Sequence, residues 1–158
     1  MNAPAPASAS APGTEKRRAR RIYDKLEELY PDAKCALLHS DPWELLVATI
    51  LSAQCTDARV NMVTPALFKR FPTVQAMADA KVRDIEELVK STGFFRNKAK
   101  NIHASANVIV EKHNGQVPDT MEQLLELPGA GRKTANVVMG NAFGKNVRVV
   151  VDSHIQRL

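Results

Sequence analysis

Arg132 and Lys133 stand where simple electrostatics disfavours them. They follow Leu127-Pro128-Gly129-Ala130-Gly131 and open the helical stretch that runs on through Thr134, Ala135 and Val138. A helix N-terminus carries a positive partial charge, so each cation there costs a few tenths to about 1 kcal/mol if exposed. The same helix end presents backbone N–H groups without intrahelical partners, and Gly129 and Gly131 have no Cβ to hold a ligand away. The pattern predicts an anion trap in which Arg132 becomes a ligand to a phosphate seated at the helix end. Contacts of that kind hold a nucleic-acid backbone in place and read no bases.

Other chemistry-bearing residues have plain structural readings on local pattern. Asp152 follows three valines and precedes Ser153-His154-Ile155, which fits an N-cap. Gln54 ends the apolar stretch at Leu51-Ser52-Ala53-Gln54, where it fits C-terminal capping, and Thr56 can cap the helix after it. Phe94, in Thr92-Gly93-Phe94-Phe95, fits a loop residue anchored in a core. Lys98 and Lys100 fall on the following helix, where charge ordinarily faces solvent. His39, His103, His113 and His154 are scattered without ligand spacing, and Cys35 and Cys55 have no C-x-x-C arrangement. The expectation is two reduced thiols in a cytosolic protein and no metal site in this chain.

The elements that must position these residues are helices. Asp41-Pro42-Trp43-Glu44 combines an N-cap carboxylate, a proline at the first helical position and a glutamate at the third. The helix it opens, through Leu45, Val47 and Leu51, is apolar nearly all round and belongs in the middle of a core. Thr56 and Thr73 can cap the next two helices. Val82, Ile85, Leu88 and Val89 repeat the helical pattern until Gly93 stops it. A long helix is predicted from about Phe94 to His113, ending at Asn114-Gly115, and Thr120 with Gln123 caps a short one before the hairpin turn. Only Val147 to Val151 looks strand-like, so the fold class is all-α.

The chain has 158 residues, 44% of them hydrophobic, and a formal net charge of +5. Its pI of about 9.4 favours polyanions or anionic surfaces without choosing between them. No apolar run approaches a membrane span. Residues 1–15 are rich in alanine, proline and serine and are expected to be a disordered tail. From Lys16 to Tyr30 the chain opens basic and turns amphipathic, with Ile22, Leu26 and Leu29 at helical spacing.

Four segments resemble, in order, segments of the endonuclease III family of DNA glycosylase/abasic-site lyases: DPWELLVATILSAQCTD (41–57), STGFFRNKAKNI (91–102), LPGAGRKTANVV (127–138) and VVVDSHIQR (149–157). The likeness spans roughly Arg17 to Leu158. It implies the helix-hairpin-helix DNA glycosylase fold: a second-domain helix within 16–39, a six-helix barrel over 40–151 with the hairpin at 120–143, and the start of a C-terminal part at 152–158.

The resemblance also implies roles. Lys133 falls where these lyases keep their catalytic lysine, and Asp152 where they keep an aspartate that stabilises positive charge on the sugar and helps take a proton from the amine. An amine nucleophile must shed its proton, which Arg132 and the positive helix end would favour. Gln54 matches the residue that fills the gap left by a flipped nucleotide, and Phe94 a wedge that pushes between bases. Gly129, Gly131 and Arg132 hold the backbone, with Lys98 as a further phosphate contact. The implied activity is base-excision repair of double-stranded DNA carrying damaged bases, commonly oxidised pyrimidines, or abasic sites. The damaged base leaves and the strand is cut by β-elimination through a lysine Schiff base.

The expected partner is DNA, with no membrane. The protein is expected to be a monomer in the bacterial cytoplasm near the nucleoid, or in an organelle or nucleus if eukaryotic. An ultraviolet-dimer or 8-oxoguanine glycosylase shares the lysine and aspartate and stays open. A mismatch-adenine glycosylase typically lacks the lysine, so Lys133 argues against it. A non-catalytic hairpin module needs the glycines and Arg132 but not Lys133, Asp152 and Gln54 together. Family members usually continue past the aspartate to four cysteines that hold a [4Fe–4S] cluster. Cys35 and Cys55 do not match them, so the cluster is expected only in the full-length protein, the chain is expected to be truncated, and Ile22, Leu26 and Leu29 are expected to lie exposed, with reduced stability and activity.

Overall fold

The computed structural model describes residues 12–32 and 34–145, and every described regular element is helical. They fall into two compact units divided between Lys34 and Cys35. The first unit is the helix α1 (Pro12–Leu29), which starts ahead of Lys16, so Pro12 to Glu15 are helical rather than part of a tail. Proline suits a first helical turn, Glu15 complements the positive end, and Arg17 Nε donates to the Gly13 carbonyl at 3.2 Å. Ile22, Leu26 and Leu29 are exposed, as expected of a truncated chain, and Tyr23 and Tyr30 are exposed with them.

The second unit is built around α2 (Pro42–Leu51), whose residues Trp43 and Leu45 through Leu51 are all buried. Asp41 caps it by accepting from the Glu44 N–H at 2.8 Å. The Glu44 carboxylate in turn accepts from the Ser40 N–H and hydroxyl, each at 2.7 Å, one residue earlier than an ideal capping box. α3 (Asp57–Arg70) is capped by Thr56, α4 (Val74–Ala78) by Thr73 and α7 (Met121–Leu125) by Thr120, as the sequence predicts. α5 (Val82–Val89) passes through a 3₁₀ turn at Lys90–Thr92 into α6 (Phe95–His113). α6 ends with Asn114 in the left-handed region, and the Gly115 N–H reaches back to the Ile109 carbonyl at 3.0 Å.

α4 and α5 pack on α6, α3 on α5, and α8 (Arg132–Ala142) on both α2 and α7. The core joins Leu45, Leu46 and Leu51 of α2 with Val60, Leu67, Met77, Ile85, Ile102, Ile109, Leu124 and Val138. Asn61 on α3 fastens the segment before α2, accepting from the Leu38 N–H at 2.9 Å and donating to the Ala36 carbonyl at 2.8 Å. The strand-like stretch 147–151 and the segment 152–158 lie outside the described residues.

Candidate nucleic-acid interface

Three connections converge on one open cavity of about 240 Å³, lined by Ile50, Ala53, Gln54, Phe94, Asn97, Lys98, Asn101 and Gly129. They are the loop after α2, the loop before α6, and the turn between α7 and α8. The structure thus brings together Gln54, Phe94 and Gly129, three residues that lie far apart in the chain.

The hairpin turn follows from its residue types. The Ala130 N–H donates to the Leu127 carbonyl at 3.0 Å, with Pro128 and Gly129 between them and Gly129 at φ +81°. Proline followed by a residue at positive φ makes a type II turn, which requires glycine or asparagine at the second place. A Cβ on Gly129 would also stand 2.9 Å from Asn101 Cβ, so the hairpin backbone lies directly against α6. Ser105, one turn further along α6, donates its hydroxyl to the Pro128 carbonyl at 2.7 Å. Gly131 is the N-cap of α8 and offers no capping side chain. Gly131, Arg132 and Lys133 are exposed at this helix start, while Ala135, Val138 and Met139 anchor the other face in the core.

The opposite edge is built differently. Gln54 sits at φ 51° and Phe94 at φ 47°, both in the left-handed region that disfavours side chains. Gly93 before Phe94 has φ 69° and ψ 152°, a conformation open essentially to glycine alone. The two unusual residues in succession turn the Phe94 ring outward, 68% exposed, instead of into the core. The reading of Phe94 as a core anchor is therefore set aside by the backbone itself.

Lys98 departs from its expected place on a phosphate-facing surface. Its side chain is only 5% exposed, and its ammonium donates to the Leu51 carbonyl at 2.8 Å and the Thr92 carbonyl at 2.7 Å. The physical reason lies in orphan acceptors: the last carbonyls of α2 have no intrahelical donor. The Ser52 N–H serves Ala48, the Ser52 hydroxyl serves Thr49, and Lys98 serves Leu51, placing a cation at the negative end of α2. Burial pushes the Lys98 ammonium below the ordinary lysine range, and the nearby Cys55 thiol opposes that shift. Lys100 by contrast is exposed.

Lys98, Asn101 and Ser105 form one polar stripe of α6, at helical spacing: Lys98 bonds the connections at Leu51 and Thr92, while Asn101 and Ser105 both meet the hairpin turn at Gly129 and Pro128. Sequence reasoning missed Asn101 and Ser105 altogether. The available signal was a set of polar residues in register with buried Ala99, Ile102 and Ala106. Asp152 lies outside the described residues. The expectation that it works with Lys133 therefore rests on the motif alone.

The fold and this hairpin define a class of DNA repair protein. A family model described as the HhH-GPD superfamily base excision DNA repair protein matches residues 47–158. The chain is 57% identical to Endonuclease III of Synechocystis sp. (92% of this chain and 66% of that protein) and 43% identical to Endonuclease III of Haemophilus influenzae (90% and 67%). A solved structure described as a trapped endonuclease III–DNA covalent intermediate superposes with a TM-score of 0.81 at 44% identity, covering 90% of this chain and 66% of that one. The chain belongs to the endonuclease III family of that superfamily. It spans about two thirds of the length of these curated relatives.

A [4Fe–4S] cluster of the kind the family implies needs four cysteine ligands. This chain has two, Cys35 and Cys55, and among the described residues no cluster of histidine, cysteine or acidic side chains is placed to hold a metal. The residues present do not fit the cluster. No described helix is long and apolar enough to cross a membrane.

Proposed function

We propose that this protein is a bifunctional DNA N-glycosylase and abasic-site lyase of base-excision repair, acting on double-stranded DNA with damaged bases or abasic sites. The observation that carries the reading is the convergence of Gln54, Phe94 and the Gly129 turn on one cavity, with α8 opening at Arg132 and Lys133 directly after that turn. The backbone N–H groups of that helix start, with Arg132, hold a phosphate beside the lesion. Phe94 enters the stack and Gln54 takes the space of the departing nucleotide. The extruded nucleotide then lies outside the duplex, where its glycosidic bond is accessible.

The Lys133 amine donates its electron pair to C1′ of the sugar, and the base leaves with the electrons of the glycosidic bond. Asp152 offsets the positive charge that builds on the sugar and accepts a proton from the amine. Ring opening gives the Schiff base. Loss of a C2′ proton then expels the 3′ phosphate and cuts the strand. Oxidised pyrimidines are the proposed substrates, and a monomer is the proposed acting form.

Reduction with borohydride during reaction on abasic-site DNA tests this directly, because a reduced Schiff base is a covalent protein–DNA adduct. The adduct should form with the unmutated protein and disappear in Lys133→Gln while DNA binding persists. Full binding with no adduct from the unmutated protein would leave only a backbone-binding hairpin module.

A further inference from the structure

We infer that Lys98 is a positioning residue: by holding the Leu51 and Thr92 carbonyls on one ammonium, it makes the Gln54 loop and the Phe94 loop a single rigid element that enters DNA as a unit. The inference rests on the proposed reading of this face as the DNA interface.

An ammonium is a costly occupant for a buried position, since taking the charge from water must be offset by what it bonds. Methionine would fill similar space without that cost. What methionine lacks is the ability to bind two acceptors from two separate connections at once. One acceptor, Leu51, closes α2 three residues before Gln54; the other, Thr92, immediately precedes Gly93 and Phe94. Both connections therefore carry a side chain in the left-handed region within a few residues of the bond. Strained backbone of this kind persists only where the surroundings over-determine it. Lys98 supplies that constraint to both loops from the same turn of α6, and Asn97 beside it lines the same cavity. Insertion of two side chains into one duplex site requires both to arrive in register. Loops fixed beforehand spare the complex the ordering cost that independent loops meet on binding.

The test is a set of cycles on the intact protein with DNA that carries an abasic site next to 2-aminopurine, a base whose fluorescence rises on unstacking. Unstacking and the single-turnover rate of borohydride trapping are measured for Gln54→Ala, Phe94→Ala and the double variant, first with Lys98 and then with Lys98→Met. With Lys98 present, the two substitutions should be coupled by about threefold or more; with Lys98→Met they should become additive to within about 1.5-fold. Lys98→Met alone should slow unstacking about tenfold while binding to intact duplex changes by less than about twofold, because no phosphate contact is lost.

Coupling that survives in Lys98→Met overturns the inference. So does a loss of binding shared equally by intact and lesion-bearing duplexes, which would make Lys98 a plain backbone contact. If Lys98→Met does not fold, Lys98→Gln, whose shorter stem does not carry its amide to both carbonyls, should also lose the coupling, and Lys98→Arg should restore part of it; the reverse pattern overturns the inference equally. Absence of any adduct from the unmutated protein counts against the catalytic reading alone, because the unstacking signal still reads the coupling.

Discussion

The two sides of the cavity reach their shapes by opposite means. On the hairpin side the left-handed position belongs to Gly129, so the turn is close to strain-free, and the ligands it offers are backbone N–H groups. On the facing side the left-handed positions belong to Gln54 and Phe94, where glycine would be the comfortable choice. A trap for phosphate needs only backbone and tolerates no side chain in the way. In the proposed function the facing edge occupies space inside a duplex and needs bulk, which Gln54 and Phe94 supply from left-handed backbone. Strain at one side and its absence at the other thus mark which groups do the work.

The comparison breaks most sharply at Gly129. Gly129→Ala combines the left-handed penalty with a contact at 2.9 Å to Asn101, and should lower unfolding free energy by about 2–3 kcal/mol in denaturant titrations. The reverse holds across the cavity. Phe94→Gly should raise stability by a few tenths to about 1 kcal/mol, the strain relief less the entropy of a glycine, while weakening selection of lesion-bearing over intact duplex in competition binding. A Phe94→Gly protein that melts lower would show the backbone there to be unstrained.

A smaller effect separates the two sides by pH. Lys98 has a folded-state pKa below its ordinary 10.5, so between the two values the unfolded chain holds the extra proton. Stability owed to this group therefore rises with pH through that window, and its burial cost is fully present below it. Unfolding of the unmutated protein and Lys98→Met should accordingly diverge in favour of the former as pH climbs through the lowered value toward 10.5.

The smallest effect lies at the base of the hairpin, where Lys145 after α8 pairs with Asp119 before α7. The hydrogen bond and charge of Lys145 hold the Asp119 carboxyl below its usual range. The pair should stabilise above the ordinary carboxylate pKa and fade as pH falls through the lowered one. Asp119→Asn should shift Tm slightly at low salt and not at all in high salt, since both partners are solvent-exposed.

Much of this architecture is legible in the residues. α2 reads as a central helix because, past Glu44 in its first turn, nothing polar interrupts its faces except Thr49, whose hydroxyl donates to the Leu45 carbonyl within the same helix. The threonine caps read because their partners lie three residues away. The hairpin reads because proline and glycine at adjacent places admit few turns. Lys98 did not read, since its acceptor on α2 is 47 residues distant and only the folded chain brings it near. The left-handed Gln54 and Phe94 were equally hidden, because no local preference selects those residue types for that conformation. Asp152 is legible only as a motif.

The cavity wall at Ala53 and Asn97 is exposed, whereas the helices that carry it are pinned from beneath by Leu51, Ala99 and Ile102. Replacement at those two outer positions reshapes the opening without removing a buried contact. Descendants of this chain can therefore vary the shape of this opening through surface exchange alone, with the buried contacts beneath it left intact.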